Sequence, residues 1–160
     1  MDTTWRPHVT VAAVTEQDGR FLMVEEMSSG KVVLNQPAGH LDEGENLIDA
    51  IIRETLEETA WTFEATGIIS IDLWQNPQKV LTFLRVNFSG DCIRHEPHRP
   101  LDDGILRALW LTPDEIDART DQLRSPMVQR CIHNYLAGKM YPLDILSDLL
   151  DHPALIQSQA

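Results

Sequence analysis

Apolar and polar positions in the first third of the chain are patterned as short β-strands joined by tight turns. His8–Val14 alternates loosely and is rich in β-branched residues, and residues 21–25 repeat this character. Residues 15–20 between them contain an Asp-Gly pair, a common signal of a hairpin turn. A Ser-Ser-Gly turn then precedes residues 31–34, which we predict to be a third strand.

The second half of the chain mixes strand and helix signals. Thr112-Pro113 and Ser125-Pro126 each place a capping hydroxyl before a proline at the first helical position. Further strands are expected at residues 68–74, 80–88 and 106–111. Further helices are expected from residue 113, over residues 126–137 and over residues 143–150. Because strands and helices are interleaved, the predicted class is mixed α/β.

The middle of the chain combines a polar loop with a strongly patterned helix. Residues 35–45 are rich in proline, glycine and acids, which favours a loop. Asn46 and Asp49 then form a capping pair, and we expect the helix that they open to span Leu47–Thr59. At about 100° per residue, the leucine and isoleucine residues of its first two turns fall on one broad arc.

Three glutamates share the neighbouring arc of this helix. Glu54, Glu57 and Glu58 are spaced i, i+3 and i+4, so their carboxylates lie over one patch. Clustered carboxylates repel one another, and Mg²⁺ (or Mn²⁺) removes that repulsion because it accepts oxygen ligands. Arg53 lies beside them and can pair with Glu57 and with Glu45, which suits an orienting role. The helix alone leaves a solvated acidic face with i,i+4 ion pairs equally open.

Composition narrows the possible functions. The 160 residues, 42% hydrophobic and 24% charged, suit one soluble domain over residues 1–160. We find no apolar run of about 18 residues and no secretory leader, so we expect no membrane span and a cytoplasmic location. The net charge of −12 argues against nucleic-acid binding. A small anionic substrate stays compatible with it, because a bound cation can reverse the local potential.

The loop and the helix together carry a specific signature. Its fixed positions are Gly39, then Glu45 after five residues, then after seven more Arg53-Glu54-Thr55-Leu56-Glu57-Glu58, followed by Thr59, Ala60 and Trp61. This order resembles the Nudix box, Gly-x5-Glu-x7-Arg-Glu-U-x-Glu-Glu-x-Gly-U, in which U is a bulky apolar residue. Thr55 replaces the usual aliphatic residue and Ala60 the usual glycine. Neither change removes a metal ligand, and Ala60 bears on the turn that leaves the helix.

The resemblance implies an α/β/α sandwich around a mixed β-sheet. It also implies hydrolysis of a phosphoanhydride bond in a nucleoside diphosphate linked to another group. The ligands of the divalent cations would then be Glu54, Glu57, Glu58 and the backbone carbonyl of Gly39. Within the box, Glu54 is the expected general base, and Asp102 and Asp103 are candidates for an acid from a later loop.

A wider resemblance extends to the NudJ-type group of bacterial Nudix phosphatases. It rests on HVTVAAV near the start, NQPAGHL around the box, FLR at 83–85, LRSPMV at 123–128 and the segment at 141–143. The implied substrates are thiamine pyrophosphate, hydroxymethylpyrimidine pyrophosphate and nucleoside di- and triphosphates, with release of phosphate.

Substrate binding is expected to use residues outside the metal positions. A base or pyrimidine ring calls for an aromatic partner and a few polar edges. The candidates are Asn35, Gln36, His40, Trp74, Arg85 and Tyr141. On general burial habits Trp74 is more often a core residue than a ligand contact, and the alternatives are an ordinary loop residue for His40 and a surface charge for Arg85.

Three functions stay open on these grounds. The leading one is a Mg²⁺-dependent Nudix phosphohydrolase that acts on small pyrophosphates and releases phosphate. The others are a house-cleaning nucleotide pyrophosphatase that releases pyrophosphate, and a non-catalytic Nudix module that binds a nucleotide or a protein. A monomer and a homodimer fit the sequence equally well.

Overall fold

The computed structural model describes residues 4–150, in which strands and helices are interleaved. The strands are β1 (His8–Val14), β2 (Glu16–Gln17), β3 (Arg20–Ser28), β4 (Lys31–Asn35), β5 (Ala38–His40), β6 (Trp61–Asn76), β7 (Leu81–His95) and β8 (Ile105–Leu111). The helices are α1 (Leu47–Thr59), α2 (Pro113–Asp117) and α3 (Pro126–Leu136), with short 3₁₀ turns at Thr120–Gln122 and Leu143–Ile145.

A mixed four-stranded sheet organises the molecule. Its strand order is β5-β1-β7-β6, with β1 parallel to β7 and antiparallel to β5. Strands β6 and β7 form a long antiparallel hairpin. The parallel register places His8 beside Phe83 and Thr10 beside Arg85, so the N-terminal ends of β1 and β7 lie side by side.

A second, antiparallel sheet is built around β3. Strand β8 pairs along one side of β3, while β2 and β4 pair with its two ends on the other side. The register between β3 and β8 shifts between Glu25 and Glu26, which is a β-bulge. A bulge changes the direction in which the neighbouring side chains point.

Helices cover both faces of the mixed sheet. Alternate residues of β1 point to opposite faces, so Val11 and Ala13 pack with α1 while Val14 packs with α2, α3 and the second sheet. Ile51 lies at the centre of the α1 cluster and Ile132 in the α3 cluster. The predicted mixed α/β class, with a mixed sheet between helices, is confirmed.

Three predicted elements are corrected by the structure. Ala38–His40, which we expected to be loop, pairs with β1 as β5, and its Pro-Gly-rich surroundings hide that pairing in the sequence. The β6–β7 hairpin is longer than the two predicted strands because cross-strand pairing continues through polar positions. The predicted helix over residues 143–150 is only the 3₁₀ turn Leu143–Ile145, held by Leu143 packing against the α1 cluster.

Nowhere within residues 4–150 does a helix have the length and apolar character needed to cross a bilayer.

Candidate functional site

Helix α1 forms as the sequence predicts and is capped at both ends. The Asp49 N–H donates to Asn46 Oδ1 at 2.8 Å, which fixes its first turn. At the other end Ala60 adopts a left-handed conformation with φ of 60°, and its N–H donates to the Leu56 carbonyl at 2.9 Å. Ala60 therefore adopts the cap conformation that glycine usually supplies.

The backbone of β5 lies directly against two carboxylates of α1. The Ala38 N–H donates to Glu58 Oε2 at 3.0 Å. A Cβ atom at Gly39 would lie 2.1 Å from the carboxyl carbon of Glu54, so only glycine fits beside that side chain. Glu54 and Glu58 are 8% and 7% exposed, which makes both of them buried acids.

Arg53 connects the box acids to the loop before α1. Its Nε and Nη2 atoms donate to the two carboxylate oxygens of Glu45 at 2.8 and 3.0 Å. Its Nη1 atom donates to Glu54 Oε1 at 2.8 Å and to Glu57 Oε2 at 3.1 Å. Nη2 also donates to the His40 carbonyl at 3.0 Å. One planar guanidinium thus orients three carboxylates and β5, as the predicted orienting role requires.

Burial and mutual repulsion favour the protonated forms of the inner acids. Burial raises the pKa of Glu58 to about 9, with Glu26, Glu54 and Asp102 adding to the rise and the Ala38 N–H opposing it. Burial also raises the pKa of Glu54, against the effect of Arg53. A nearby positive charge would relieve this penalty, so the cluster favours binding of a cation.

The oxygen donors of this cluster fit a hard divalent cation. Within residues 4–150, no three His, Cys, Asp or Glu side chains converge closely enough to hold a metal ion as they stand. Arg53 accounts for this, because its contacts draw Glu54 and Glu57 toward the guanidinium. Carboxylates and a backbone carbonyl are the ligands that Mg²⁺ and Mn²⁺ prefer, and a bound cation would stabilise the ionised form of Glu58 that burial disfavours.

A cleft of about 450 Å³ opens beside β5. Glu26 is the acidic residue of its lining, and Gly39 of β5 also lines it. Its cationic lining consists of Lys79, Arg85 and Arg124, and its aromatic lining consists of His8, His40, Trp74 and Phe83. The cleft thus presents one carboxylate, three cations and a group of rings to a single small ligand.

The rings form one continuous group. Phe83 stacks on Trp74 with ring centres 5.9 Å apart and an interplanar angle of 24°. Phe83 also contacts His8 at 5.3 Å, and His8 contacts His40 edge-on at 5.5 Å. Burial, together with His8 and Arg124, lowers the pKa of His40, so its ring is neutral at pH 7. This surface suits a planar aromatic group.

Asn35 carries an unusual unpaired oxygen. Its Nδ2 atom donates to Glu26 Oε1 at 3.2 Å. Its Oδ1 atom is the only buried side-chain nitrogen or oxygen of residues 4–150 that has no hydrogen-bond partner. Because buried polar atoms are normally paired, this oxygen favours a ligand that brings an N–H or O–H group.

The structure brings together four of the predicted substrate residues and separates two. Asn35, His40, Trp74 and Arg85 line the cleft. Gln36 is fully buried; its Nε2 donates to the Val128 carbonyl at 3.0 Å and its Oε1 accepts from Arg85, so it supports the cleft wall rather than lining it. Tyr141 pairs with Ile68 of β6 and is half exposed, at a position that does not line the cleft.

Asp102 lies close to the carboxylate cluster. Its N–H donates to the Glu57 carbonyl at 3.0 Å, and its charge raises the pKa values of Glu54 and Glu58. Within residues 4–150, Asp103 does not contribute to the raised pKa values of Glu54 and Glu58. Of the two later acids, Asp102 is therefore the one that the fold brings to the site.

Sequence reasoning missed Glu26, Arg124 and His8. Glu26 accepts from Arg124 Nη1 at 2.8 Å and from Asn35, and it raises the pKa of Glu58. The unpaired residue of the bulge, Leu106, is on β8, so ordinary alternation along β3 places Glu26 on the face opposite Glu25. His8 reaches the site only through the parallel register of β1 and β7, which has no local signal.

Comparison with known proteins agrees with this geometry. A NUDIX domain model matches residues 4–131. The chain belongs to the Nudix family. Phosphatase NudJ of Escherichia coli strain K12 is 40% identical to this Nudix chain over 144 residues, which cover 90% of the chain and 93% of that protein. Phosphatase NudJ of Shigella sonnei strain Ss046 shows the same identity and coverage.

Solved Nudix structures resemble the fold closely. A NUDIX hydrolase from Nitrosomonas europaea has a TM-score of 0.90 and 47% sequence identity, covering 92% of this chain and 100% of that chain. The NUDIX domain of Shewanella oneidensis NrtR, solved in complex with ADP ribose, has a TM-score of 0.67 at 15% identity, covering 84% of this chain and 90% of that chain. The second likeness concerns the fold alone.

Membership of the Nudix family confirms the predicted reaction class, hydrolysis of phosphorus-containing acid anhydrides. Nudix hydrolases act on small molecules and generally use divalent metals. The carboxylate cluster on α1 is the part of this chain suited to such a metal.

Proposed function

We propose that this chain is a Mg²⁺-dependent Nudix phosphohydrolase that releases phosphate from small pyrophosphates. Its substrates would include thiamine pyrophosphate or hydroxymethylpyrimidine pyrophosphate and nucleoside di- and triphosphates. The observation that carries the proposal is the pair of buried glutamates, Glu54 and Glu58, packed against the β5 backbone beside a cleft with cationic and aromatic walls. The 40% identity to Phosphatase NudJ supports the same reaction.

The composition of the cleft fits the two parts of such a substrate. A pyrophosphate group calls for cations, which Arg85 and Arg124 provide. A pyrimidine or purine ring calls for a flat apolar surface, which Trp74 and Phe83 provide. The unpaired Asn35 oxygen favours a ring with an exocyclic amino group, because such a group can donate a hydrogen bond.

The residues of α1 have different roles in the proposed reaction. Glu54, Glu57, Glu58 and the Gly39 carbonyl would hold Mg²⁺, which would lower the pKa of the attacking water and neutralise charge on the phosphate oxygens. Glu54 would accept the proton of that water, because burial raises its pKa and so makes its carboxylate a better proton acceptor. Arg53 holds Glu54 in the orientation that the transfer needs.

Substitution of the box acids tests this proposal. Glu58→Gln and Glu57→Gln keep the shape of the side chains and remove a charged ligand each, so kcat should fall about a hundredfold or more, which corresponds to several kcal/mol of lost charge stabilisation. Glu43→Gln is the matched control, because Glu43 is exposed in the loop before α1. Near-normal phosphate release by both box variants, in folded protein, would contradict the proposal.

A nucleotide pyrophosphatase that releases pyrophosphate is the second candidate. It is favoured by the two cleft arginines, which can hold a chain of more than two phosphates. Hydrolysis in ¹⁸O-labelled water separates the candidates, because the label enters the phosphorus that is attacked. With a nucleoside triphosphate as substrate, label in inorganic phosphate or in the nucleoside diphosphate supports the first candidate, and label in the nucleoside monophosphate or in pyrophosphate supports the second.

A further inference from the structure

Arg85 on β7 is a buried cation held by neutral groups. It is 3% exposed. Its Nη2 atom donates to Gln36 Oε1 at 2.6 Å, and its Nε atom donates to Asn87 Oδ1 at 3.1 Å. Burial lowers the pKa of Arg85, yet a guanidinium stays protonated in proteins. The fold therefore keeps a positive charge away from water with two amide oxygens as partners.

No carboxylate neutralises this charge directly. Within residues 4–150, no carboxylate oxygen lies within 4.0 Å of the Arg85 nitrogens. Asp72, Glu58 and Glu26 act on it only at longer range. A buried charge without a counter-ion is costly, and arginines so placed normally pair with an anion. The missing partner is thus an anion from outside the chain.

The free edge of the guanidinium faces the cleft. Within residues 4–150, Asn35 Oδ1 is the only fully buried side-chain nitrogen or oxygen that lacks a hydrogen-bond partner. Arg85 Nη1 also makes no hydrogen bond within these residues, so this atom is not fully buried. Nη1 therefore has solvent access, and Arg85 lines the cleft beside Gly39. The open donor therefore faces the cleft bordered by β5, whose backbone contacts the box acid Glu58.

Asn87 and Gln36 fix the direction of this donor. Asn87 Nδ2 donates to Ser70 Oγ at 3.0 Å and to Asp72 Oδ2 at 2.9 Å, which turns its oxygen toward Arg85. Gln36 Nε2 donates to the Val128 carbonyl at the start of α3, which turns its oxygen toward Arg85 as well. Both amides are thus locked as acceptors, so the guanidinium cannot swing away from the cleft.

We propose that Arg85 is the receptor for a phosphate group of the substrate and that Gln36 and Asn87 are its positioning residues. Neutral partners leave the charge of Arg85 available, whereas a glutamate at position 36 would cancel it. The proposal rests on the proposed function only for the identity of the anion, a pyrophosphate. It assigns the phosphate that Arg85 binds to the cleft bordered by β5.

Isosteric replacement of Gln36 tests the proposal. Gln36→Glu would place a carboxylate beside Arg85 Nη2, so the dissociation constant for methylenediphosphonate, a pyrophosphate analogue that resists hydrolysis, should rise at least about tenfold. Calorimetry with Mg²⁺ present measures this constant, and circular dichroism checks the fold. Gln17→Glu, at an exposed site on β2, is the control for added negative charge.

Two further variants keep the test decisive if Gln36→Glu folds poorly. Arg85→Gln should weaken binding of the analogue to the same degree, whereas Arg107→Gln, which removes a surface arginine paired with Glu25, should not. Binding by Arg85→Gln within about twofold of wild type, or no binding by wild type, overturns the proposal.

The outcome is separable from that of the proposed function. If wild type hydrolyses pyrophosphates and Arg85→Gln keeps its KM, the function stands and the receptor role fails. If wild type releases no phosphate from any pyrophosphate but binds methylenediphosphonate in a manner that depends on Arg85, the receptor stands and the proposed function fails.

Discussion

At the residue scale, the closest packing in the site is between Gly39 and Glu54. The strand backbone and the carboxyl group leave no room for a methyl group between them. Glycine is needed here for space, because its backbone is in an extended strand and not in the left-handed region. The absence of a side chain at Gly39 therefore allows the carboxyl group of Glu54 to occupy its position.

Gly39→Ala should reduce activity far more than stability. The new Cβ would displace the end of Glu54, and a displacement of about 1 Å at a reacting group can cost about a hundredfold in rate. A flexible glutamate can move aside, so the free energy of unfolding should change by less than about 1 kcal/mol. Phosphate-release assays and urea denaturation measure the two effects. Unchanged kcat would show that Glu54 has no role in turnover.

Arg53→Lys should lower kcat with little change in KM. A lysine has one ammonium group, which cannot reach Glu45, Glu54 and Glu57 together as the guanidinium does. The substrate contacts in the cleft stay intact, so binding is spared. Steady-state kinetics measure the change, with Arg94→Lys, at an exposed ion pair, as control. An equal loss in both variants would mean that orientation by Arg53 is unimportant.

At the element scale, four residues other than glycine within residues 4–150 adopt the left-handed region, and Val80 and Ala60 are the two apolar ones. Val80 closes the β6–β7 turn with φ of 53°, and Ala60 caps α1 with φ of 60°. The two differ in burial, because Val80 is 75% exposed and Ala60 is 3% exposed. The same substitution should therefore have different effects at the two sites.

Val80→Gly should raise the free energy of unfolding by about 0.5–1 kcal/mol. A β-branched residue is strained at positive φ, and the exposed side chain contributes little packing. Ala60→Gly should give a smaller gain, since it also removes a buried methyl group worth about 0.8 kcal/mol. Thermal and urea denaturation measure both. The control is Val32→Gly, at a half-exposed strand position with ordinary φ, which should lower the free energy of unfolding. If Val80→Gly lowers it as well, the backbone at Val80 is not strained.

At the scale of the whole molecule, the net charge is −12, and the buried acids of α1 make the stability of the fold depend on pH. Glu58 has an ordinary pKa of 4.5 when exposed and a pKa of about 9 in the fold. Between these values the folded state keeps a proton that the unfolded state has released. Stability must therefore fall as the pH rises through this range. The raised pKa of Glu54 acts in the same direction.

The melting temperature in the presence of a chelator should fall between pH 7 and pH 9, by several degrees for a loss of about 1–2 kcal/mol. Excess Mg²⁺ should remove most of this decline, because a cation stabilises the ionised acids. The range begins at pH 7 so that the titrations of His40, Glu25 and Glu45, whose pKa values are lowered in the fold, do not contribute to the change in melting temperature. Glu58→Gln should flatten the chelator curve. A wild-type curve that is flat or rising would contradict the raised pKa.

Local sequence determined α1 and its chemistry. Its cap at Asn46, its end at Thr59 and the spacing of its three glutamates act within a few residues, so the structure confirms the helix bounds as predicted. The Nudix family and its reaction class follow from the same segment. The predicted strand β1 is confirmed with its bounds for the same reason, since its pattern is local.

Only the tertiary structure decided how the rest of the site is assembled. The parallel pairing of β1 with β7 brings His8 to Phe83, and the packing of β3 brings Glu26 to Asn35 at the end of β4 and to Arg124 just before α3. These contacts join residues up to about a hundred positions apart, and no local pattern encodes such pairings. Gln36 and Arg85 show the same limit, because their hydrogen bond depends on where β7 and α3 pack and not on their neighbours in sequence.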